Sequence, residues 1–315
     1  MNGPDAVPAD PGGPVVRRFA AADRAAPHDS TVPAEQLGDA QAIDRLARWL
    51  RGAPVVVLSG AGLSTASGIP AYRDRHGRWQ QATPIQHRDF LTSAPVRQRY
   101  WARSFVGWPR LGRASPTAGH RALSEMERRG VVSWVITQNV DGLHQKAGSR
   151  RVIELHGGIG TVLCLACGQR FLRAAVQEWL RSANPGMEDV AVCPGPDGAA
   201  TLAEAIARTF QVPACPDCGG MLKPDVVFFG DSVPRVRVSA ATQAIDAAPA
   251  LLVVGSSLMV YSAFRLADYA QRQGKPVLAV NDGVTRADHL LACKVEGECG
   301  AVLGRLLDLA VQRPA

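Results

Sequence analysis

Lysine is nearly missing from this chain. Lys146, Lys223, Lys275 and Lys294 are the only four among 35 basic residues, so the formal charge of +7 is carried by arginine. No Lys/Arg block marks a nucleic-acid track; charge of this size is mostly solvated surface, and it also suits acidic ligands. No apolar run approaches the ~18 residues of a membrane span, and the N-terminal stretch lacks an apolar signal-peptide core. Asp5, Asp10, Asp23 and Asp29 count against a transit peptide, while Arg17, Arg18 and Arg24 lean the other way. A disulfide frame is disfavoured: the seven cysteines are odd in number and four form two Cys-x-x-Cys pairs, which favours metal in a reducing compartment. Residues 1–36, rich in Ala, Pro, Gly and Asp, read as a disordered extension. With 315 residues and 46% hydrophobic content, the chain holds one large domain or two smaller ones.

The stretch Val55–Arg73 organises the rest. Val55–Leu58 is an apolar, β-branched run that reads as a buried strand. It ends in Ser59–Gly60–Ala61–Gly62, where two glycines let the backbone turn sharply and leave no Cβ against an approaching diphosphate. Ser64, Thr65 and Ser67 are expected to cap the helix turn that follows. Strand, glycine turn and helix N-terminus together make an anion site for a dinucleotide, with a plain tight turn as the alternative. Thr65 stands where GxGxxG has its third glycine, and no acidic residue closes a second strand ~20 residues on.

Ala40–Arg51 places Ile43, Leu46, Ala47 and Leu50 on one helical face. Residues 74–118 are rich in Arg and aromatics, and Pro84, Pro95, Pro109 and Pro116 divide them into short helices of an insertion over the glycine loop. Trp79, Phe90, Tyr100, Trp101, Phe105 and Trp108 supply mostly core to it. Thr117–Arg129 reads as a helix and Val131–Thr137 as a second buried strand, ending in Gln138–Asn139–Val140–Asp141–Gly142. Open α/β sheets bind ligands at strand carboxyl ends, and these side chains suit an amide and a sugar hydroxyl. A capped loop is the alternative, since Asn and Asp favour turns. Arg151–Leu155 is another strand, leading to His156–Gly157–Gly158. There an imidazole has the right range for a general base and the glycines admit a ligand.

Cys164-x-x-Cys167 and Cys215-x-x-Cys218, each followed by a glycine (Gly168, Gly219), give four thiolates for one tetrahedral zinc. Four thiolates leave no open coordination position, so the metal is structural. Cys193, Cys293 and Cys299 are then spare. Val226–Phe229, Leu251–Val254 and Lys275–Val280 read as strands, ending in Gly230–Asp231, Gly255–Ser256–Ser257 and Asn281–Asp282–Gly283. An acid or amide at such an end takes ribose hydroxyls, so the adenosine-reading strand comes late in the chain. Residues 300–312 form a closing helix.

These blocks resemble the sirtuin family of NAD-dependent protein lysine deacylases. GAGLSTASGIPAYR (60–73), TQNVDGLH (137–144), ELHGG (154–158), the two knuckles, KPDVVFFGD (223–231), GSSLMVYSA (255–263) and ND (281–282) occur in family order and cover about residues 40–310. PIQHRDF (84–90), APVRQRYWARSFVGWP (94–109) and LKPDVVFFGDSV (222–233) are similar to its class II branch. The resemblance implies an α/β fold: a Rossmann-like parallel sheet with a smaller zinc-binding and helical domain. Its large part is expected at 37–73, 117–160 and 222–315, and its small part at 74–116 and 161–221. NAD and the acyl-lysine peptide would share the cleft between them.

The resemblance also implies roles. Gly60, Ala61, Gly62, Thr65, Tyr72 and Arg73 would line the cofactor loop. Gln138, Asn139 and Asp141 would hold nicotinamide and its ribose. Gly255, Ser256, Ser257, Asn281, Asp282, Gly283 and the Cys299 backbone would hold the adenosine half, and Phe229 and Gly230 would border the peptide. Ala71 stands where the family has an acid or another neutral residue. In the implied reaction the acyl oxygen attacks the anomeric carbon of the nicotinamide ribose, and nicotinamide leaves through a state sheltered at Asn139 and Asp141. His156 then takes a proton from a ribose hydroxyl that attacks the alkylimidate. The products are free lysine, nicotinamide and O-acyl-ADP-ribose.

Some sirtuins that take acidic acyl chains carry a Tyr-x-x-Arg pair where this chain has Trp79 and Ala82. Weak desuccinylation is therefore expected, with acetyl or a longer neutral or lipoyl-type chain preferred. The rival readings are protein mono-ADP-ribosyl transfer, a non-catalytic NAD sensor and a zinc-ribbon DNA binder. The expected setting is the bacterial cytoplasm, then the mitochondrial matrix, with acylated-lysine proteins as partners and neither membrane nor nucleic acid.

Overall fold

Apolar runs of four or five residues bounded by glycine or polar turns form the strands of this chain. The computed structural model describes residues 39–80, 84–187, 193–194, 200–201 and 204–311. The expected extension at residues 1–36 and the Ala82 position lie outside the described residues, as does the side chain of Cys193. In chain order the strands are β1 (Val55–Ser59), β2 (Val132–Thr137), β3 (Val152–Glu154), β4 (Gly157–Cys164), β5 (Arg170–Leu172), β6 (Cys193–Pro194), β7 (Ala200–Thr201), β8 (Leu222–Val226), β9 (Leu251–Val254), β10 (Val277–Val280) and β11 (Leu291–Val295).

Six of them form one sheet in the order β11-β10-β9-β1-β2-β3, every pairing parallel. From β1 the chain first builds outward to β3 on one side and later from β9 to β11 on the other. The order reverses between β1 and β9, the topological switch point at which open α/β sheets open a ligand crevice.

A parallel sheet must be covered on both faces, and the side chains of β1 show how. Val55 and Val57 point into a core shared with the helices Asp39–Gly52, Ala118–Arg128 and Cys299–Val311. Val56 and Leu58 point into the opposite core, under the helices Arg235–Ala247 and Tyr261–Arg272. All five β1 residues are buried, each apolar side chain contributing about 1.5–3 kcal/mol. The first helix buries Ala42, Ile43, Leu46, Ala47 and Leu50, the face expected from its periodicity. Thr117 caps the second through a reciprocal capping box with His120.

A second, antiparallel sheet in the order β5-β4-β8 packs with the helices Ala94–Arg113 and Arg173–Ala183 around a core of Phe90, Trp101, Phe105, Leu180 and Phe210. β6 and β7 pair as a short antiparallel ribbon.

Two expectations are corrected here. The prolines do not break 94–113 into short helices; it is one helix of 20 residues. Pro95 falls in its first turn, where no N–H is needed. Pro109 frees the carbonyl of Phe105, and Gln177 Nε2 donates to that carbonyl at 3.0 Å. Nor is Val226–Phe229 a strand: pairing with β4 is made by the preceding Leu222–Val226. Phe228 and Phe229 then turn apart, Phe228 against Phe90 and Tyr100, Phe229 against Tyr72 and Trp79. Their apolar character serves two different environments, not one sheet.

Candidate active site and metal centre

The first glycine turn is built against the second. Gly60 N–H donates to the Val254 carbonyl at 3.0 Å and Gly62 N–H to that of Gly255 at 2.8 Å. A Cβ on Gly62 would stand 2.9 Å from the Gly255 oxygen, and one on Gly60 2.7 Å from Ser256 Cβ. Gly255, at φ +59°, would bring its own Cβ within 2.5 Å of the Leu63 nitrogen. These glycines are demanded by a backbone-to-backbone approach before any ligand arrives.

The helix expected after the turn is only two 3₁₀ turns, Ala61–Leu63 and Thr65–Ser67, and neither has a side-chain cap. The hydroxyls bond elsewhere. Ser64 Oγ donates to Asp141 Oδ2 at 2.7 Å, Thr65 Oγ1 to the Gly62 carbonyl and Ser67 Oγ to the Ser115 carbonyl.

At the carboxyl end of β2, Asn139 Nδ2 donates to the Gly60 carbonyl (3.0 Å) and approaches Ser64 Oγ (3.1 Å). Asp141 accepts from Ser64 through one oxygen and from the Leu143 N–H through the other (2.9 Å). Burial holds its carboxyl above the ordinary value, and those two hydrogen bonds oppose the rise. Gln138 Nε2 donates to Ser256 Oγ at 2.8 Å, tying β2 to the second glycine turn. Beneath them, Ser59 donates to Thr137 Oγ1 at 2.9 Å, so His144 Nε2 is the donor to Ser59 Oγ at 2.8 Å. Thr137 Oγ1 in turn accepts from the Asn139 N–H at 3.1 Å.

His156 follows β3. Its Nδ1 faces the Gln138 carbonyl at 3.2 Å and its Nε2 the Ser262 hydroxyl at 2.8 Å. A carbonyl only accepts, so Nδ1 carries the proton, and the lone pair of the neutral ring sits on Nε2. Burial pushes the imidazole down to about 4, with the Gln138 carbonyl opposing and Arg237 assisting. At neutral pH the ring is thus neutral, with an acceptor nitrogen toward the Ser262 hydroxyl.

These groups line one cleft of about 770 Å³, a size ordinary for a cofactor and substrate. Ala61, Gly62, Thr65, Tyr72 and Arg73 line it, as do Gln138, Asn139, Asp141 and His156 and the second glycine turn, Gly255, Ser256 and Ser257. Asn281, Asp282 and Cys299 line it too, as do Phe229 and Gly230. Two expected residues, Gly60 and Gly283, are not among the lining. Gly60 packs against Gly255 and Ser256, and Gly283 (φ +96°) lets the Arg75 carbonyl lie 2.1 Å from where its Cβ would be. That contact docks the loop after Tyr72: Val284 N–H donates to the Arg75 carbonyl at 3.0 Å, and Arg75 pairs with Asp282 at 3.8 Å.

Tyr72, Trp79 and Phe229 meet edge to face, with centroids 5.7–6.1 Å apart, and Arg73 lies 4.1 Å above the Trp79 ring. Trp79 therefore does stand in the cleft, as part of an aromatic wall.

The sequence reading missed Ser262 and Arg265. Both lie one turn apart on the helix Tyr261–Arg272 and line the cleft, while Ala263, Leu266, Ala267 and Ala270 of that helix are buried. The signal was a polar residue and an arginine on the unburied side of a helix that follows a glycine turn.

The four knuckle cysteines stand apart; none lines the cleft. Their Sγ atoms all lie within 4.8 Å of one another, with Cys164–Cys218 at 3.5 Å and Cys167–Cys215 at 3.9 Å. A tetrahedral zinc with Zn–S ~2.3 Å needs sulfurs about 3.8 Å apart, so the donor set fits this ion. Gly168 and Gly219 take positive φ in the knuckle turns, and a Cβ on Gly220 would crowd Cys164 and Cys218. Cys293 and Cys299 are buried away from the cluster, directed at the Ala42 and Val280 carbonyls.

Comparison with known proteins matches the model of the Sir2 family over residues 60–262. A protein named NAD-dependent protein deacetylase from Xanthomonas campestris pv. campestris (strain 8004) is 54% identical over 250 residues, 79% of this chain and 85% of that protein. One of the same name from Bordetella pertussis is 50% identical over 251 residues, 80% and 92% of the two chains. Among solved structures, a Sir2 protein with a p53 peptide and NAD+ superposes with a TM-score of 0.66. It is 28% identical and covers 84% of this chain and 96% of its own.

Proposed function

The chain belongs to the Sir2 family, and from that premise we propose that its cleft removes acetyl and related acyl groups from protein lysines while consuming NAD. The observation that carries this reading is the meeting of one acceptor imidazole, one amide and one buried carboxylate at the carboxyl ends of two neighbouring strands. NAD supplies the ribose whose nicotinamide leaves and which receives the acyl group.

The remaining work falls to side chains of this chain. Asn139 and Asp141, fixed by Ser64, Gly60 and Leu143, are the groups that face the nicotinamide ribose and shelter charge as the glycosidic bond opens. His156 Nε2 is the base that takes the ribose hydroxyl proton. Ala61, Thr65, Tyr72 and Arg73 would line the cofactor loop, and Gly255, Ser256, Ser257, Asn281, Asp282 and the Cys299 backbone would receive the adenosine half. Phe229, whose backbone bridges Gln86 in parallel, and Gly230 border the acyl-lysine peptide. The four cysteines would hold zinc away from the cleft, where it would tie the end of β4 to the turn before β8.

The bacterial deacetylases it resembles support a bacterial cytoplasmic setting. Among the described residues no helix is long and apolar enough to cross a membrane.

The test follows nicotinamide release and peptide deacetylation together. The chain is expected to release nicotinamide faster when an acetyl-lysine peptide is present. His156→Ala should slow deacetylation at least about a hundred-fold; a loss of only a few-fold removes His156 as the base. Release that ignores the acylated peptide and labels protein with ADP-ribose would replace this reading by mono-ADP-ribosyl transfer.

A further inference from the structure

Arg265 lines the cleft. Its Nε is buried without a hydrogen-bond partner, and among the described residues its guanidinium makes no ion pair or hydrogen bond. Every carboxylate lining the cleft is occupied elsewhere. Asp74 accepts from the N–H groups of His76 and Arg78, Asp141 from Ser64 and Leu143, and Glu298 from Gly300 and Ala301. Asp231 lies 3.1 Å from His87 and 3.9 Å from Lys223, and Asp282 pairs with Arg75. Farther out, Asp225 is held by Arg170 and Arg237, and Asp268 by Arg272. The other cleft cations are engaged too: Arg73 donates to the Gly77 carbonyl at 2.7 Å and lies over Trp79.

An arginine with a desolvated nitrogen and no internal counter-charge is a ready site for an anion, and its fork fits a carboxylate. Its place says which anion. Ser262, one turn earlier on the same helix, reaches the His156 Nε2 at 2.8 Å, and one turn is only ~5.4 Å. The guanidinium therefore belongs to the His156 side of the cleft, which Trp79 also lines, where the acyl-lysine is expected. We propose that Arg265 is a substrate-carboxylate subsite. It binds a carboxylate carried by the acylated substrate, either at the end of the acyl chain or on an acidic residue flanking the lysine. This rests on the deacylase reading, and Arg265 would supply a cation that the Trp79 position lacks.

The experiment compares matched peptides with the intact chain, Arg265→Met and Arg265→Lys. One arm sets glutaryl-lysine against its uncharged terminal-amide analogue in neutral flanks. The other sets acetyl-lysine flanked by Glu against the same peptide with Gln. The readout is the ratio of kcat/KM for the charged peptide over its neutral match, which cancels any general loss. In the intact chain the ratio should exceed one in at least one arm; Arg265→Met should lower it about ten-fold, and Arg265→Lys should restore part of it. The arm that responds names the source of the carboxylate. A ratio that Arg265→Met leaves unchanged in both arms overturns the subsite while deacetylation stands. A rise in the KM for NAD common to all peptides assigns Arg265 to the cofactor and overturns it as well. Absence of NAD-dependent turnover on every peptide defeats the deacylase reading and the subsite with it.

Discussion

Ser262 presents its hydroxyl to the lone pair of His156 at 2.8 Å, on the nitrogen that the proposed reaction uses as base. The bond favours the neutral ring, so its removal should raise the imidazole toward its ordinary value. Ser262→Ala is expected to move the acid limb of the kcat/KM profile to higher pH and to lower kcat several-fold, with Ser262→Thr restoring the profile. A profile unchanged by Ser262→Ala would reduce the contact to packing.

The His120 and His144 rings meet edge to face with centroids 4.8 Å apart and are 0% and 1% exposed. Burial pushes them down to about 4 and about 3, with Arg121 further opposing a proton on His120 and His120 one on His144. Unfolded, each would titrate near the ordinary 6.5. Between that value and about 4 the unfolded chain binds more protons, so stability is full above 6.5 and is lost as pH falls through this window. At pH 5 the loss is about 2 kcal/mol per imidazole. Thermal melting at pH 7.5 and pH 5 should show a drop of several degrees that shrinks in His120→Gln; equal midpoints would contradict the assignment.

One zinc per chain is expected by metal analysis. Cys218→Ser should lose the ion, lower the melting temperature and abolish most deacetylation, although Cys218 does not line the cleft. Cys293→Ser should keep the zinc, because its thiol points at the Ala42 carbonyl. Full activity in a zinc-free Cys218→Ser protein would show that the knuckles do not hold the catalytic frame.

Much of the site could be read from residue order, because the strand ends carry it. Gln138, Asn139, Asp141 and His156 directly follow β2 and β3, and a parallel sheet collects such ends on one edge. What escaped depends on partners distant in the chain. Ser64 looks like a cap and instead bonds Asp141. Pro109 looks like a helix stop until Gln177 satisfies the carbonyl it frees. Val226–Phe229 has the composition of a strand, yet its two phenylalanines face a core and a cleft. Arg265 is one arginine among 31 in composition, and only a buried, unpartnered Nε on a cleft-lining residue sets it apart.

The bond from Gly62 to Gly255 joins segments that leave the ribosome far apart in time. The earlier loop cannot take its final shape until the later one has been synthesised and folded beside it. A truncated product ending before residue 255 should therefore have no affinity for nucleotide, even with its whole leading motif intact. Immature chains would then neither sequester the cell's dinucleotide nor cleave it.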